Sequence, residues 1–361
     1  MANIKDVARE AGVSPSTVSR VLRGTKRVDP ATRERVLAAV ERLGYRPSAA
    51  ARMLRGDPSH LVGVVVPNMA NEFFIKVVHG VEEATAPLGI NLIVASTKGD
   101  PDKEGPILDA LIGHRVNGIV LAPSGVATDY VPLARKGPPV VLVDRVVEEP
   151  LFDAFVEDNA NGARFLVEAA RAAGHRVIGV LRGPDRPYPA AERMAGVLAA
   201  DAPDIVLRPS APSPWGVEGG RLATRELMHG EPRPTVLISL QNEMTLGALL
   251  ELKLLGVRVP EDVSVLSYGI PADNPLLYVQ VTGLEHQAIA MGRSAGQQLL
   301  TRLLGAPHRP RTHVLVPRFV LGQSLAGPDG RDGTAAARAL ATRRGFAPTT
   351  ADRIAVIGES S

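Results

Sequence analysis

From Leu61 to about residue 322 the chain repeats one pattern: apolar runs of four to six residues alternate with longer amphipathic stretches. The runs are Leu61–Val66, Leu92–Ala95, Gly118–Ala122, Val140–Val143, Val177–Leu181, Val236–Leu240 and Val263–Tyr268. Continuous apolar character, rather than alternation, marks strands covered by helices on both faces. Helical spacing recurs over 73–87, 104–113, 160–173, 190–200, 217–228, 243–255 and 287–304, and a last strand is expected through 313–322. Strands and helices in this order predict an α/β fold with doubly wound parallel sheets. The stretch is longer than one ordinary sheet domain, so two lobes are expected.

The first 60 residues are different. They carry twelve Lys/Arg against six Asp/Glu, a net +6 in a chain whose total is +3, which leaves −3 on the rest. A basic head on a mildly acidic body suggests a polyanionic partner for the head. Three short helices fit residues 4–45. Ile4 to Ala11 places Ile4, Val7, Ala8 and Ala11 on one face, and Gly12 permits the turn that follows. Ser14 caps a second helix with Pro15 at its first position, running to about Leu22. Asp29-Pro30 repeats that signal and starts a third helix to about Leu43, with Val36, Leu37, Val40 and Leu43 at helical spacing. Tyr45-Arg46-Pro47 breaks the pattern. Ser48 to Arg55 reads as a fourth segment, too short to hold a helix by itself in water. Such a triplet of helices is either a simple packing module or a helix-turn-helix whose second helix enters the DNA major groove. In the latter, Val7, Ala8, Val18 and Val21 form the internal core, while Ser16, Thr17, Ser19, Arg20 and Arg23 face elsewhere. Hydroxyls and guanidinium groups there can meet base edges or phosphates, and Pro15 only makes apolar contact.

Residues 3–24, from Asn3 through Ile4-Lys5-Asp6-Val7-Ala8 to Arg23-Gly24, closely resemble the headpiece of the lactose-repressor (LacI) family. So do Thr32-Arg33-Glu34-Arg35-Val36 and the segment Leu43 to Arg52. The resemblance continues more weakly to about Ser324. It implies an all-α helix-turn-helix headpiece plus an α/β two-lobed periplasmic-binding-protein-like domain. It places Pro15 and Ser16 where the family reads base edges, and Thr17, Ser19 and Arg20 where it meets bases and backbone. Arg23 stands where Asn is common, which adds a phosphate contact or alters sequence preference. It also implies that the fourth segment is a hinge helix, folded on DNA and paired with its dimer mate in the minor groove. Leu54 then stands at the wedge position, with Ala51 and Arg55 beside the DNA. The implied partners are double-stranded operator DNA, a second copy in a homodimer, and a small-molecule effector, a sugar or other metabolite, with no cofactor, metal or membrane.

By the same resemblance the effector lies between the lobes, at the carboxyl ends of the strands. Asn71-Glu72-Phe73-Phe74 resembles the family's Asn-Pro-Phe-Phe loop, with Glu72 replacing Pro. Asp144 matches a usual cleft position, and Asp158-Asn159 the family's Asp-Asn before a helix. Arg193 stands where the family clamps ligand, the alternative being a salt bridge between lobes, and Trp215 where a ring stacks. Asn242-Glu243 replaces the family's Asn-Asp. Gly269 replaces an Asp that in many members grips hydroxyls, so an ordinary sugar is not the expected ligand. A carboxylate or phosphate would suit Arg193.

The expected organisation is a headpiece over 1–46, a hinge over 47–60, a two-lobed effector and dimerisation domain over 61–325, and a mobile tail over 326–361 in which 352–358 can form a short ordered piece. An enzyme is not expected. Gly292-Arg293-Ser294-Ala295-Gly296 has the nucleophile-elbow spacing but falls inside a predicted helix, where that motif has no function. The chain has no cysteine, hence no disulfide, thiolate metal site or thiol nucleophile. The N-terminus lacks the apolar segment of a signal peptide, and no run approaches ~20 apolar residues. The expected location is the bacterial cytoplasm, at the nucleoid when bound to operator.

Overall fold

The computed structural model describes residues 3–22, 28–44, 60–125, 128–186, 188–271, 274–305, 309–346 and 354–357. The chain divides into two compact units, 1–59 and 60–361.

In the first unit, α1 (Ile4–Ala11), α2 (Pro15–Leu22) and α3 (Pro30–Arg42) stand where the caps predict them. Asn3 closes a capping box on α1, its Oδ1 accepting from the Lys5 and Asp6 amides while Asp6 Oδ2 accepts from the Asn3 amide at 2.9 Å. Ser14 Oγ accepts from the Thr17 amide at 3.2 Å, and Asp29 Oδ2 from the Thr32 amide at 3.0 Å. Val7, Ala8, Ala11, Val18, Val21, Val36 and Ala39 form the core. Arg42 pairs with Glu10, tying α3 to α1. Leu37 departs from the expected apolar face: it is 45% exposed, and Ala39 takes the inward position.

The second unit has two sheets. The strands are β1 (Leu61–Val66), β2 (Asn91–Ser96), β3 (Gly118–Leu121), β4 (Val140–Val143), β5 (Asp153–Glu157), β6 (Val177–Leu181), β7 (Val206–Pro209), β8 (Val236–Ser239), β9 (Ser264–Tyr268), β10 (Thr282–Glu285), β11 (Thr312–Leu315), β12 (Arg318–Val320) and β13 (Ile354–Ile357). Between them run α4 (Glu72–Thr85), α5 (Glu104–Gly113), α6 (Val131–Lys136), α7 (Asn159–Ala172), α8 (Tyr188–Leu198), α9 (Val217–His229), α10 (Asn242–Leu254), α11 (Ala288–Leu303) and α12 (Thr334–Arg344). The first lobe's sheet has the order β13-β11-β5-β4-β3-β1-β2, the second lobe's β12-β10-β9-β8-β6-β7. Both are parallel except at one edge, where β13 and β12 lie antiparallel to their neighbours.

Sequence periodicity missed β5, β7 and β10 for different reasons. β5 begins and ends on acids, Asp153 and Glu157, both buried. Asp153 is neutralised within the fold by Arg302 at 2.7 Å and by the Gln298 side chain and the Arg311 amide. β7 is a half-exposed edge strand, and β10 reads Thr-Gly-Leu-Glu, with little apolar character. The single strand expected through 313–322 is two strands in different lobes. Pro317, which has no amide hydrogen, falls between β11 and β12 as the chain changes sheets.

The expectation of a mobile tail is also corrected. α12 packs Ala337 and Ala341 into the second lobe's core, and Phe346 stacks on Phe165 at 4.6 Å between centroids. Arg344 pairs with Glu168 on α7. β13, within the segment expected to be ordered, pairs with β11 in the first lobe. The folded body therefore extends well past residue 325.

Gly292 and Gly296 prove to be packing residues of α11. A Cβ on Gly292 would lie 2.0 Å from the Val77 carbonyl oxygen, so its absence lets α11 press against α4.

Candidate functional site

On α2 the core side chains Val18 and Val21 are buried, while Pro15, Ser16 and Arg20 are exposed and Thr17 and Ser19 half-buried. The same helical turn thus anchors itself inward and presents hydroxyls and a guanidinium outward. Ser14 Oγ lies 2.8 Å from Ser16 Oγ and 2.9 Å from Thr17 Oγ1, a chain of hydroxyls at the helix start. Arg23, Ala51, Leu54 and Arg55, and with them the hinge helix, lie outside the described residues.

In the second unit a cavity of about 1620 Å³ opens between the lobes. Phe73, Asp144, Arg193, Trp215, Asn242 and Glu243 all line it. Asn71 starts α4 by accepting from the Phe73 amide at 3.0 Å, which sets the Phe73 ring at the cleft. Glu72, replacing the family's Pro, pairs one turn on with Lys76. Asp144 follows β4 with φ +65°, a backbone state unusual outside glycine and characteristic of sites that fix a side chain. Burial pushes its carboxyl up, and the guanidinium groups of Arg145 and Arg193 only partly oppose that. Trp215 stands over Gly183, where a Cβ would strike the indole ring at 2.3 Å.

Arg193 is 5% exposed. Its Nε donates to Asn159 Oδ1 and its Nη1 to the Leu240 carbonyl, both at 2.8 Å, and its guanidinium carbon lies 3.9 Å from the centre of the Tyr268 ring. Among the described residues no carboxylate lies within 4.0 Å of it, so it is not a salt bridge between lobes. Asn159 does not touch the cavity; it orients Arg193.

Gly269 does not line the cavity. Its φ is +91°, and a Cβ there would lie 2.5 Å from His286 Nε2. His286 occupies the space an acidic side chain would need, and it lines the cavity itself. Its Nδ1 donates to Glu157 Oε2 at 2.6 Å, and Glu157 Oε1 accepts from the Gln287 amide at 2.9 Å. Burial acts to raise the Glu157 carboxyl, but His286, Arg193 and the Gln287 amide together hold it below the ordinary carboxylate range. Glu157 precedes the first crossing between lobes (157–159) and His286 sits in the second (285–288), so this pair fastens two crossings together. At the third, Arg318 pairs with Glu285 at 2.8 Å.

The sequence reading missed His286, Glu157 and Arg145. Arg145 is buried, lines the cavity, and donates to the Pro123 carbonyl at 2.9 Å and to Asp144 at 3.3 Å. Its place directly after Asp144 was the available signal; His286 and Glu157 lie 129 residues apart and left none.

A helix-turn-helix unit joined to a two-lobed binding body is the architecture of a ligand-responsive DNA-binding regulator. Residues 3–48 match the bacterial regulatory proteins of the lacI family, and residues 167–325 a periplasmic binding protein-like domain. The chain is 32% identical over 333 residues to the HTH-type transcriptional repressor PurR of Photobacterium profundum, covering 90% of this chain and 99% of that one. It is 32% identical to the ribose operon repressor of Haemophilus influenzae over 90% and 99% of the two chains. The structure of the lac repressor dimer bound to operator and the anti-inducer ONPF superposes with a TM-score of 0.78 at 25% identity, over 90% of this chain and 99% of that one. That of the transcriptional regulator CelR with cellobiose gives 0.66 at 27%, over 90% and 100%. The chain belongs to the lacI family of bacterial regulatory proteins. It is a DNA-binding transcription regulator and not an enzyme.

Proposed function

We propose that this regulator represses transcription as a homodimer on a near-palindromic operator, and that a small molecule held between its lobes sets its affinity for that operator. The carrying observation is a divided architecture: a polar face on a capped, core-anchored α2 in one unit, and a lobed cavity floored by buried charged groups in the other. Pro15, Ser16, Thr17, Ser19, Arg20 and Arg23 are assigned to the major groove and its phosphates, and Ala51, Leu54 and Arg55 to the minor groove. Phe73, Asp144, Arg193, Trp215, Asn242 and Glu243 are assigned to the ligand. The organisation into headpiece, hinge and effector body follows the same division, with the body continuing through 357. A cytoplasmic location, at the nucleoid when DNA-bound, fits a protein with this partner.

Capture of sheared genomic DNA by the purified protein, followed by sequencing and footprinting, tests the reading. A few sites sharing a near-palindrome are expected. No enrichment at low salt, with or without small molecules extracted from cells, would overturn it. Affinity should also fall steeply with salt, with a log–log slope of about −5 to −9 if ~6–10 phosphates are neutralised per dimer.

A further inference from the structure

The floor of the cleft holds more buried positive charge than its near neighbours neutralise. Arg145 and Arg193 are both buried and line the cavity. Asp144 is the one buried carboxylate among the described lining residues, and its burial favours the neutral form. Glu157 lies behind the wall, bonded to His286 and the Gln287 amide, and acts on Arg193 only through space, as Asp144 does. The direct bonds of Arg193 go to neutral oxygens and an aromatic face. A buried guanidinium with no carboxylate in direct contact is ready to receive an incoming acceptor. Of the cleft's other acids, Asp102, Asp129, Glu148, Glu149 and Asp185 are exposed, where solvent and salt screen them, and half-buried Glu243 accepts from the Gln241 side-chain amide at 3.0 Å.

We propose that the effector carries an anionic group, a carboxylate or a phosphate, received on the cleft floor by Arg193 and His286, with His286 as the specificity-determining residue that stands in for the side chain Gly269 lacks. The proposal rests on the effector reading of the cleft given above. The geometry supplies each part. Glu157 only accepts, so Nδ1 of His286 carries a proton and the ring is fixed in orientation. Nε2 then faces the space that a Cβ at Gly269 would enter, beside Asn242. An acid at position 269 would place a second negative charge there and favour hydroxyl donors; as the imidazolium partner of Glu157, His286 carries its second proton on Nε2, and that donor together with Arg193 favours an acceptor. Trp215, half-buried over Gly183, and Phe73, edge-on to His286 at 4.9 Å, offer apolar surface for the remainder of the ligand.

The test equilibrates the full-length protein with a small-molecule extract of bacterial cells. Unbound compounds are filtered away, and bound ones are released and identified by mass. Trp215→Ala run in parallel marks cleft-dependent capture. Expected are compounds bearing a carboxylate or a phosphate, the identified mass deciding between the two. The captured compound is then titrated against unaltered protein beside its uncharged counterpart, the methyl ester of a carboxylate or the dephosphorylated form of a phosphate. A loss of about 10- to 100-fold is expected from removing the charge-assisted bonds. His286→Gln should retain more affinity than His286→Leu, and the titration with the uncharged compound keeps the test decisive if either variant fails to fold. Cleft-dependent capture of neutral compounds alone, or equal affinity for charged and uncharged forms, overturns the proposal and leaves the effector reading intact. No cleft-dependent capture of any compound overturns both.

Discussion

The two units of this regulator build their sites in opposite ways. In the headpiece, the bonds that start α1, α2 and α3 join residues two or three positions apart, and the candidate DNA contacts up to Arg20 follow one another on one helix. In the body, the bonds that matter most join residues 129 and 130 positions apart, and the cleft floor is assembled from several strands and helices. A local site tolerates a thin core because its geometry is set by the helix it sits on. A site at a meeting of lobes inherits the energetics of every crossing that holds the lobes together.

Perturbing the body should therefore cost more than perturbing the headpiece, and five substitutions test that in descending order of effect. Phe346→Ala removes a ring buried against Phe165 and should lower the body's stability by about 3–5 kcal/mol in denaturant unfolding, although it lies beyond the family match. A neutral result would return the tail to the status of a loose appendage.

His286→Leu leaves Glu157 buried without its main partner and should cost about 3 kcal/mol. The pH dependence has a definite sign. The folded Glu157 carboxyl titrates below its ordinary value, so its contribution is present above the unfolded carboxylate range and is lost as pH falls through the folded value. Glu157→Gln should flatten the acid limb of the body's unfolding profile, and an unchanged limb would show that other carboxylates control it.

Val18→Ala should take about 2 kcal/mol from the headpiece, enough to unfold much of so small a unit, abolishing operator binding while ligand affinity in the cleft persists. Simultaneous loss of both activities would contradict the separation of the units. Asn3→Ala, which removes one capping side chain, should cost about 1 kcal/mol, read as a lower melting temperature of an isolated 1–60 fragment if that fragment folds, or as a modest loss of operator affinity in the full chain.

Legibility in the sequence follows the same division. Ser14, Pro15, Asp29 and Pro30 announced α2 and α3 because capping is a contest between one side chain and the amides beside it. The all-apolar strands β1, β4 and β6 were readable because burial on both faces leaves no polar positions. β5 was hidden because its acids are neutralised by groups far along the chain, and the break between β11 and β12 because a change of lobe has no periodicity. At the cleft, positions such as Phe73, Asp144 and Arg193 could be carried over one by one from the resemblance. The departure at Gly269 was visible as a missing carboxylate, but what fills its place was not.

The sequence by itself determined the order of helices and strands, the basic head, and the polar face of α2, because each depends on neighbours within a few residues. The tertiary structure alone decided that His286 fills the space beside Gly269, that Glu157 holds it there, that Arg193 lies buried with its direct bonds on neutral oxygens, and that the tail completes the second lobe's core. Those outcomes depend on which distant side chains meet in a low-dielectric interior, where an unpaired charge or an unfilled space is costly enough to fix the arrangement.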